Sequence, residues 1–593
     1  MSPSFSVDMH MKLRQIQALF GKVFHVRAPA KPSQAPKVSK PTPQAAQPKT
    51  DDKYFLKDAN KGSVITRFPP EASGFLHIGH AKAALINFIL REKYDGKLIF
   101  RFDDTNPEKE KEEFEKSIAA DLEWLGVSWD IGPTHTSDYF PEMLRLATTM
   151  IEKGLAYVDN TPTEEMRKYR ETKCATPCRD HSIAENLALW KEMQIGSPEG
   201  QKCCLRAKID FKAANGALRD PTIYRVVVNP PHLRTGSQYK VYPTYDFACP
   251  IVDSLEGVTH ALRTTEYKDR DKQYQWIAQA LGLRCPQLND YSRLNMEYTV
   301  MSKRKLTELV KHNVVLGWDD PRFPTVRALA RKGLTAEALR QFVEVQGMSK
   351  VVNVMEWSKL WAMNGKILDP VAPRYTAVSE NHACVCTIEN YEGAVRTEQK
   401  LWHKKNPELG EKPLTFCPTI FLESFDVEFL KEGEEVTLMD WGNAFISNIE
   451  YNMVDGQPDK ARGPVRCSAK LHLEGDFKTT KYKLSWLVRD APSLPIKCVE
   501  FDHLLRVKKF DSGMSTEEFL NSVNTKSMYS QTLIGEMAFS NVQKGQTLQV
   551  ERRGFYIVDD VHRPADGLPV VTLFAIPDGR AKVNHLSAKA LAA

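Results

Sequence analysis

Two histidines flank a glycine in "PPEASGFLHIGH" (residues 69–80), where an apolar strand containing Val64, Ile65 and Phe68 gives way to apolar residues at helical spacing. The Pro-Pro and Ser73-Gly74 pairs break the strand, so His77, Gly79 and His80 stand on the first turn of a helix. A helix N-terminus offers unpaired N–H groups and about half a positive charge, and an anion docks there readily. Two imidazoles add donors for phosphate oxygens whose charge grows during displacement, and Gly79 leaves bare backbone for a flat purine. A lone histidine on a helix is more often a core or capping residue, so this turn needs a second element beside it. "VMSKRKL" (residues 300–306), after the strand-like run "DYSRLN", supplies one, because Lys303 with Ser302 can reach the β and γ phosphates as a mobile point charge. Alone it reads as a solvated basic loop. In this order, and on these element boundaries, the two together point to activation by ATP.

The elements that must position these groups begin with a βαβ unit. Strand, histidine helix and "KLIFRFDDT" (residues 97–105) imply a parallel sheet with right-handed crossovers. Asp103 and Asp104 fall at the carboxyl end of the second strand, where open α/β sheets place ligands; helix capping is the alternative use of either acid. "NPEKEKEEFEKSIAADLEWLG" (residues 106–126) predicts a helix with Asn106 as cap, Pro107 at the first position and Gly126 as stop. Its inward face is Phe114, Ile118, Leu122 and Leu125. The first half of the Rossmann-like α/β domain thus covers residues 51–136. A mixed α+β insertion follows at 137–244, and the second half resumes at 245–304 with a helix over Tyr245 to Leu255, the strand "VTHALR" and a helix around Asp269 to Leu281. Residues 305–366 form a helical connecting domain. From 367 to 593, β-formers alternate between turn residues and predict all-β barrels. No internal repeat is visible.

Composition bounds the classes. At 593 residues the chain holds several cores, and its net charge of +6 is too small for that size to mark a nucleic-acid binder by itself. No apolar run approaches the roughly 18 residues of a membrane span, so no membrane association is expected. Eleven cysteines, with a vicinal pair Cys203-Cys204 and a close pair Cys384 and Cys386, are no disulfide framework and suit a reducing compartment. Cys174, Cys178 and His181 invite a zinc reading, but no second ligand pair follows at finger-like spacing, and no metal held by protein side chains is expected. The first fifty residues carry eight Lys/Arg against one acid, Asp8, with a Pro-rich linker from Ala28. Before it, "MKLRQIQALFGKVFHVR" fits a short amphipathic helix. Three uses of this arm are open: docking a protein partner, a mitochondrial presequence, and an accessory RNA contact.

"PPEASGFLHIGH" and "VMSKRKL" resemble the HIGH and KMSKS signatures of class I aminoacyl-tRNA synthetases, with Val300 and Arg304 in place of the first lysine and last serine. "RFDDTNP", "PTYDFACPIVDSLEGVTHALRTTEY" and "SRLN" are similar to the glutamyl and glutaminyl branch, and the resemblance runs from about residue 55 to the C-terminus. It implies the class I synthetase fold. The implied activity is formation of an adenylate from an amino acid and ATP with Mg²⁺, then acyl transfer to the 2′-hydroxyl of the terminal adenosine of tRNA. By this resemblance His77, His80 and Lys303 stabilise the transferring phosphates, and Glu71, Gly79, Thr264, Arg293, Leu294, Met301 and Ser302 complete the nucleotide site. Asp103 would take the substrate ammonium, Tyr245 would border its side chain and Arg67 would pair with carboxylate. The insertion would grip the acceptor stem, with Asp269 accepting from a guanine amino group, and the barrels would read the anticodon, with Arg374 in "VAPRY" as one contact.

Arg263 separates the two branches. In glutamate enzymes an arginine at the matching position meets the substrate γ-carboxylate, whereas the similar glutamine enzymes carry a small uncharged residue there. With an amide, a buried guanidinium would lack its counter-charge. The resemblance therefore implies L-glutamate and tRNA(Glu), unless Arg263 only ties down Glu266 or Asp269. The alternatives are a glutaminyl enzyme of the same fold, a non-catalytic tRNA-binding relative, and a small-molecule nucleotidylyltransferase, which would have no use for the insertion and barrels. The β-rich end resembles the archaeal and eukaryotic enzymes and implies the cytosol, with mitochondrial import through the basic N-terminus open.

Overall fold

A computed structural model describes residues 52–579 apart from 512 and 566; the basic arm and its amphipathic helix lie outside the described residues. The first parallel unit is β1 (Ile65–Phe68), α1 (Ile78–Lys93), β2 (Lys97–Phe102), α2 (Glu112–Trp124) and β3 (Ile131–His135), with Ile65 opposite Lys97 and Phe68 opposite Phe100. After the insertion come α3 (Tyr245–Leu255), β4 (His260–Thr264), α4 (Asp271–Ala280) and β5 (Gln287–Tyr291), where β4 and β5 are again parallel. The amide of Thr259 donates to Ile65 O at 2.9 Å and that of Ile65 to Thr259 Oγ1 at 2.8 Å, which seats β4 along the free edge of β1. The strand order is therefore β3-β2-β1-β4-β5. It reverses between β1 and β4, and a crevice opens there at the carboxyl ends of the strands.

Buried on both faces, β1 and β2 are apolar runs rather than alternating ones, as parallel strands between helices require. Two arginines interrupt them. Arg67 on β1 and Arg101 on β2 are 1% and 2% exposed, and both meet Asp253 on α3: Arg67 Nε lies 3.0 Å from Oδ2 and Arg101 Nη2 2.6 Å from Oδ1. Glu256 takes Arg101 Nη1 at 2.6 Å, and the Tyr274 hydroxyl donates to Asp253 at 2.8 Å. Burial alone would raise the Asp253 carboxyl, yet Arg67 and Arg101 hold it down to about 2. Gly96 lets β2 start close to β1, since a Cβ there would lie 2.3 Å from Val64 O.

Helix α2 begins later than its sequence suggests. Its first residue is Glu112, after Lys111. The stretch expected to be its first turn folds otherwise: the Glu110 carboxylate takes the Asn106 amide at 2.6 Å, and the Lys111 amide donates to Ala72 O at 3.1 Å, so the backbone at 106–111 is tied to the histidine loop. Gly126 does end the helix region, at φ +69°.

Residues between β3 and α3 form a four-stranded antiparallel sheet (Ala156–Asp159, Cys204–Ala207, Thr222–Val226, Val241–Pro243), with helices Phe140–Glu152 and Ile183–Ile195 packed on a core that includes Trp190 and Tyr224. Helices Val326–Arg331, Ala336–Gln346 and Trp357–Leu368 follow the lysine loop. Two seven-stranded sheets dominate the described residues that follow. In one, the edge strands are Arg374–Tyr375 and Ala377–Ser379; in the other, Lys483–Leu484 and Trp486–Val488. Each pair is one stretch of chain broken at a single residue, Thr376 or Ser485. Both sheets therefore close on themselves as barrels.

Breaking the buried charge triad removes one partner of two guanidiniums, a change that typically costs about 3–5 kcal/mol. Asp253→Asn should lower the urea midpoint of unfolding at pH 7 accordingly. Because the native carboxyl lies below its ordinary unfolded value, its contribution is fully present above about pH 4 and is lost as pH falls through about 2. An unchanged midpoint at pH 7 would refute the role of Asp253.

Candidate active site

His77 is the N-cap of α1. Its Nδ1 accepts from the amides of Gly79 (3.0 Å) and His80 (3.3 Å), while its own amide donates to His80 Nδ1 at 3.3 Å. Both Nδ1 atoms are thus acceptors, which puts the proton of each neutral ring on Nε2. The rings stack at 3.7 Å between centroids and 18° between planes. Burial drives the His77 ring well below its ordinary pKa, with His80 adding to the effect, and pushes His80 down to about 4 although part of that ring reaches solvent. The turn is braced from behind, since Ile78 N donates to Pro324 O at 2.9 Å and Val326 N to Leu76 O at 2.8 Å.

The lysine loop lies over this turn. A Cβ on Gly79 would stand 2.8 Å from His77 Cε1 and 3.3 Å from Met301 Cε, and one on Gly74 would stand 3.1 Å from Lys303 Nζ. Lys303 opens helix α5 (Lys303–Lys311), with Nζ 4.8 Å from the Phe114 ring centroid. Burial lowers its pKa, nearby Glu71 raises it, and Lys109 and Lys111 lower it further. His77, Gly79, His80, Glu71, Met301 and Lys303 are therefore brought together, as the sequence predicts. Ser302 is exposed beside them. The "SRLN" segment is fixed against α1 by Lys82, whose Nζ donates to Ser292 O at 2.9 Å. Leu294 is buried, while the exposed Arg293 pairs with Glu266, and Thr264 ends β4.

On the other side of the crevice the two neighbouring acids divide. Asp104 accepts from Ser137 N (2.8 Å) and Oγ (2.6 Å), holding the 3₁₀ turn Thr136–Tyr139, and His232 Nε2 donates to its carbonyl at 2.8 Å. Asp103 keeps a buried Oδ1 with no hydrogen-bond partner, and burial pushes its carboxyl up to about 7. Such an oxygen suits a cationic ligand group. Arg67, expected to pair with a ligand carboxylate, already has Nε on Asp253 and Nη1 on Leu262 O at 3.0 Å; Nη2 faces Cys249 Sγ at 3.7 Å. Tyr245, the first residue of α3, lies 5.6 Å from Tyr267.

Arg263 is 5% exposed, with Cζ 5.1 Å from the Tyr267 ring and 5.4 Å from the Tyr274 ring. Its Nε has no hydrogen-bond partner. Neither Glu266 nor Asp269 ties it down: Glu266 goes to Arg293, and the exposed Asp269 accepts from Asn215 through its backbone oxygen at 2.6 Å. The acid that does approach is Asp271, 3.4 Å from Nη1. The turn Thr265–Arg270 winds as a 3₁₀ helix before α4, which carries Glu266 and Asp269 outward. Arg374 stands far off in the sequence at a barrel edge, 3.8 Å from Asp369, beside a small cavity lined by Lys400, Trp402, Lys412 and Trp486. Sequence reading passed over Asp253, Lys82, His232 and Lys268. The signal for Asp253 was a single acid inside the otherwise apolar "FACPIVD" of a helix. Among the described residues no group of three or more His, Cys, Asp or Glu could hold a metal ion, and Cys178 donates to Asn160 Oδ1 at 3.1 Å.

The family model for the catalytic domain of class I (E and Q) tRNA synthetases matches residues 63–370, and two models for the anticodon-binding domain of the same enzymes match 372–468 and 483–559. A protein of Schizosaccharomyces pombe named probable glutamate–tRNA ligase, cytoplasmic, is 48% identical over 535 residues, covering 90% of this chain and 72% of that one. The Saccharomyces cerevisiae glutamate–tRNA ligase, cytoplasmic, is 48% identical over 537 residues, 90% of this chain and 73% of that one. The bifunctional glutamate/proline–tRNA ligase of Cricetulus griseus is 48% identical over 535 residues, 89% of this chain; this chain spans only 34% of that protein's length.

The paired rings make a direct prediction. With ¹⁵N-histidine labelling, His77 and His80 should show the neutral Nε2–H pattern at pH 7, and His80 should titrate near 4. Since both native values lie below the ordinary one of about 6.5, the unfolded chain binds these protons more readily and stability falls as pH drops below about 6.5. A ring titrating near 6.5 would contradict the mutually capped pair.

Proposed function

The chain belongs to the E and Q branch of the class I tRNA synthetases, and on that premise we propose that it joins L-glutamate to tRNA(Glu) through a glutamyl-adenylate. The observation that carries the choice of amino acid is the Arg263 guanidinium, buried between two tyrosines at the carboxyl end of β4 with its Nε unpartnered. A substrate γ-carboxylate supplies the missing anion. An amide does not, and sites built on obligate polar pairing can discriminate by about 10⁴ to 10⁵.

Glutamate enters with its ammonium on Asp103, its side chain beside Tyr245 and its α-carboxylate near the Nη2 edge of Arg67. Asp103 must be ionised for this contact, and a bound ammonium favours that form. MgATP lies over the histidine turn, its adenine against Gly79 and the Arg293–Leu294 segment. An α-carboxylate oxygen attacks the α-phosphorus, the bond to the bridging oxygen breaks, and pyrophosphate leaves. Nε2–H of His77 and His80 donates to the oxygens that gain charge, and Lys303 follows the β and γ phosphates. No covalent enzyme intermediate is required. The 2′-hydroxyl of the terminal adenosine of tRNA then takes the acyl group and AMP departs.

The domain reading extends to tRNA. The insertion at 137–244, with Asp269 at its margin, holds the acceptor stem, and the barrels from about 367, Arg374 among them, meet the anticodon. The cytoplasm is the proposed location. The arm at 1–50 remains assigned to a protein partner, to import or to RNA, with no feature of the described residues favouring one.

Two substitutions test the assignments in tRNA-dependent pyrophosphate exchange. Arg263→Ala should raise the KM for glutamate by about 100-fold or more while moving that for ATP by less than about 5-fold, in keeping with loss of a buried charge-assisted pair. Lys303→Ala should lower kcat by about 100-fold, the scale of one lost transition-state contact. Equal losses of both substrates' affinity in Arg263→Ala would contradict the choice of glutamate.

A further inference from the structure

Arg263 has two carboxylates at hand and closes firmly on neither. Asp290 is its direct neighbour across the β4–β5 ladder, and strands in a sheet run about 4.8 Å apart with paired side chains on one face. Asp271 opens α4 at 3.4 Å from Nη1. Both acids are nearly buried, at 13% and 3% side-chain exposure for Asp271 and Asp290. Left to themselves, two acids so close would neutralise the guanidinium.

Lys268 prevents this. From the 3₁₀ turn Thr265–Arg270 its Nζ reaches both, 2.7 Å from Asp271 Oδ2 and 2.8 Å from Asp290 Oδ2. Lys350 adds a longer contact of 3.6 Å to Asp290. The hydrogen bonds to Asp271 and Asp290 raise the Lys268 pKa above the ordinary lysine value, so it stays charged. Within this cluster Arg263, Lys268 and Lys350 supply three cations against the two anions Asp271 and Asp290. The group is one negative charge short; within it the buried Nε of Arg263 and the buried Oδ1 of Asp290 both lack a hydrogen-bond partner.

We propose that Lys268 is a specificity-determining positioning residue: by holding Asp271 and Asp290 it reserves the Arg263 guanidinium for the side-chain carboxylate of the amino-acid substrate. The proposal rests on the reading that Arg263 meets that carboxylate. Lys268 does not itself touch the substrate. Without it, Asp271 is free to rotate onto Arg263, close the pair internally and compete with glutamate.

The test uses the full chain with tRNA(Glu) in pyrophosphate exchange, with KM for glutamate and for ATP measured separately. Lys268→Gln should raise the glutamate KM by about 10-fold or more, equivalent to about 1.4 kcal/mol, with kcat and the ATP KM within about 3-fold of the parent. Lys268→Arg should stay near the parent. Adding Asp271→Asn to Lys268→Gln should recover most of the loss, because Asp290 still has Lys350. A rise that Asp271→Asn does not recover overturns the proposal, as does a glutamate KM in Lys268→Gln within about 3-fold of the parent. In either case a large effect of Arg263→Ala leaves the reading of Arg263 standing. If Arg263→Ala itself leaves glutamate KM unchanged, that reading fails and the role of Lys268 fails with it.

Discussion

One carboxylate, Asp253, decides whether the first two strands can exist as they are. Two guanidiniums in a sheet interior are untenable without a counter-charge, since the effective penalty for taking an ion out of water is several kcal/mol. Asp253 faces both, with Glu256 sharing the load on Arg101. Because the acid belongs to α3, neutralisation also fixes where that helix sits on β1 and β2. Tyr245 begins α3, and Cys249 lies one turn before Asp253. The same contact that makes the sheet stable thus sets one wall of the crevice and holds Arg67, whose Nη1 and Nη2 donate to Leu262 O and Cys249 Sγ.

The nucleotide side is organised by backbone instead. The capped histidine pair needs no external partner to hold its rings, and Pro324 and Val326 lock the loop before α1 from the other face. Val326 begins the short helix that ends at Arg331, whose Nε and Nη2 meet Asp559 on a barrel strand at 2.7 and 3.0 Å. The lysine loop has a similar tether: Lys305, two residues past Lys303, donates to the carbonyls of Met514 and Ser515 at 3.0 Å. The histidine turn is thus linked to a strand of the barrel edged by Arg374–Tyr375 and Ala377–Ser379, and the lysine loop to the connection between two strands of the same barrel. A shift of that barrel would be felt at the turn through packed, hydrogen-bonded structure.

What could be read in the sequence depended on the range of the interaction. The βαβ order, the span of α3 and the meeting of "HIGH" with "MSK" follow from local pattern plus the rule that ligands gather where strand order reverses. Which of Asp103 and Asp104 faces the crevice was not legible, because the answer lies in Ser137, 33 residues on. The start of α2 differs from the local pattern for a related reason: Asn106 and Pro107 are good opening residues, but the Glu110 carboxylate takes the Asn106 amide and the long-range bond from Lys111 N to Ala72 O ties this stretch to the histidine loop. For Arg263, nearness in sequence suggested Glu266 or Asp269. The 3₁₀ turn Thr265–Arg270 leaves both exposed, and Asp271, the first residue of α4, is the acid that reaches Nη1.

The two halves of the crevice meet different electrostatic demands with different chemistry. A side-chain carboxylate carries its charge from entry to release, so its receptor must be a permanent cation fixed in place; on the proposed reading Arg263, buried between two rings with a 3.4 Å contact to Asp271, is that group. Phosphate oxygens gain charge only as the bond to pyrophosphate breaks. A group that held the ground state as tightly as the transition state would not lower the barrier. Neutral imidazole N–H donors, held in place by the mutual capping of His77 and His80, suit a charge that develops during the reaction we propose. Lys303 opens α5 with Nζ 4.8 Å from the Phe114 ring centroid and close to Gly74, and on the proposed reading it follows the departing group. On the proposed reading a fixed charge meets the fixed anion and fixed dipoles meet the transient one, which accounts for a neutral histidine pair at the partly exposed turn and a charged, buried Arg263.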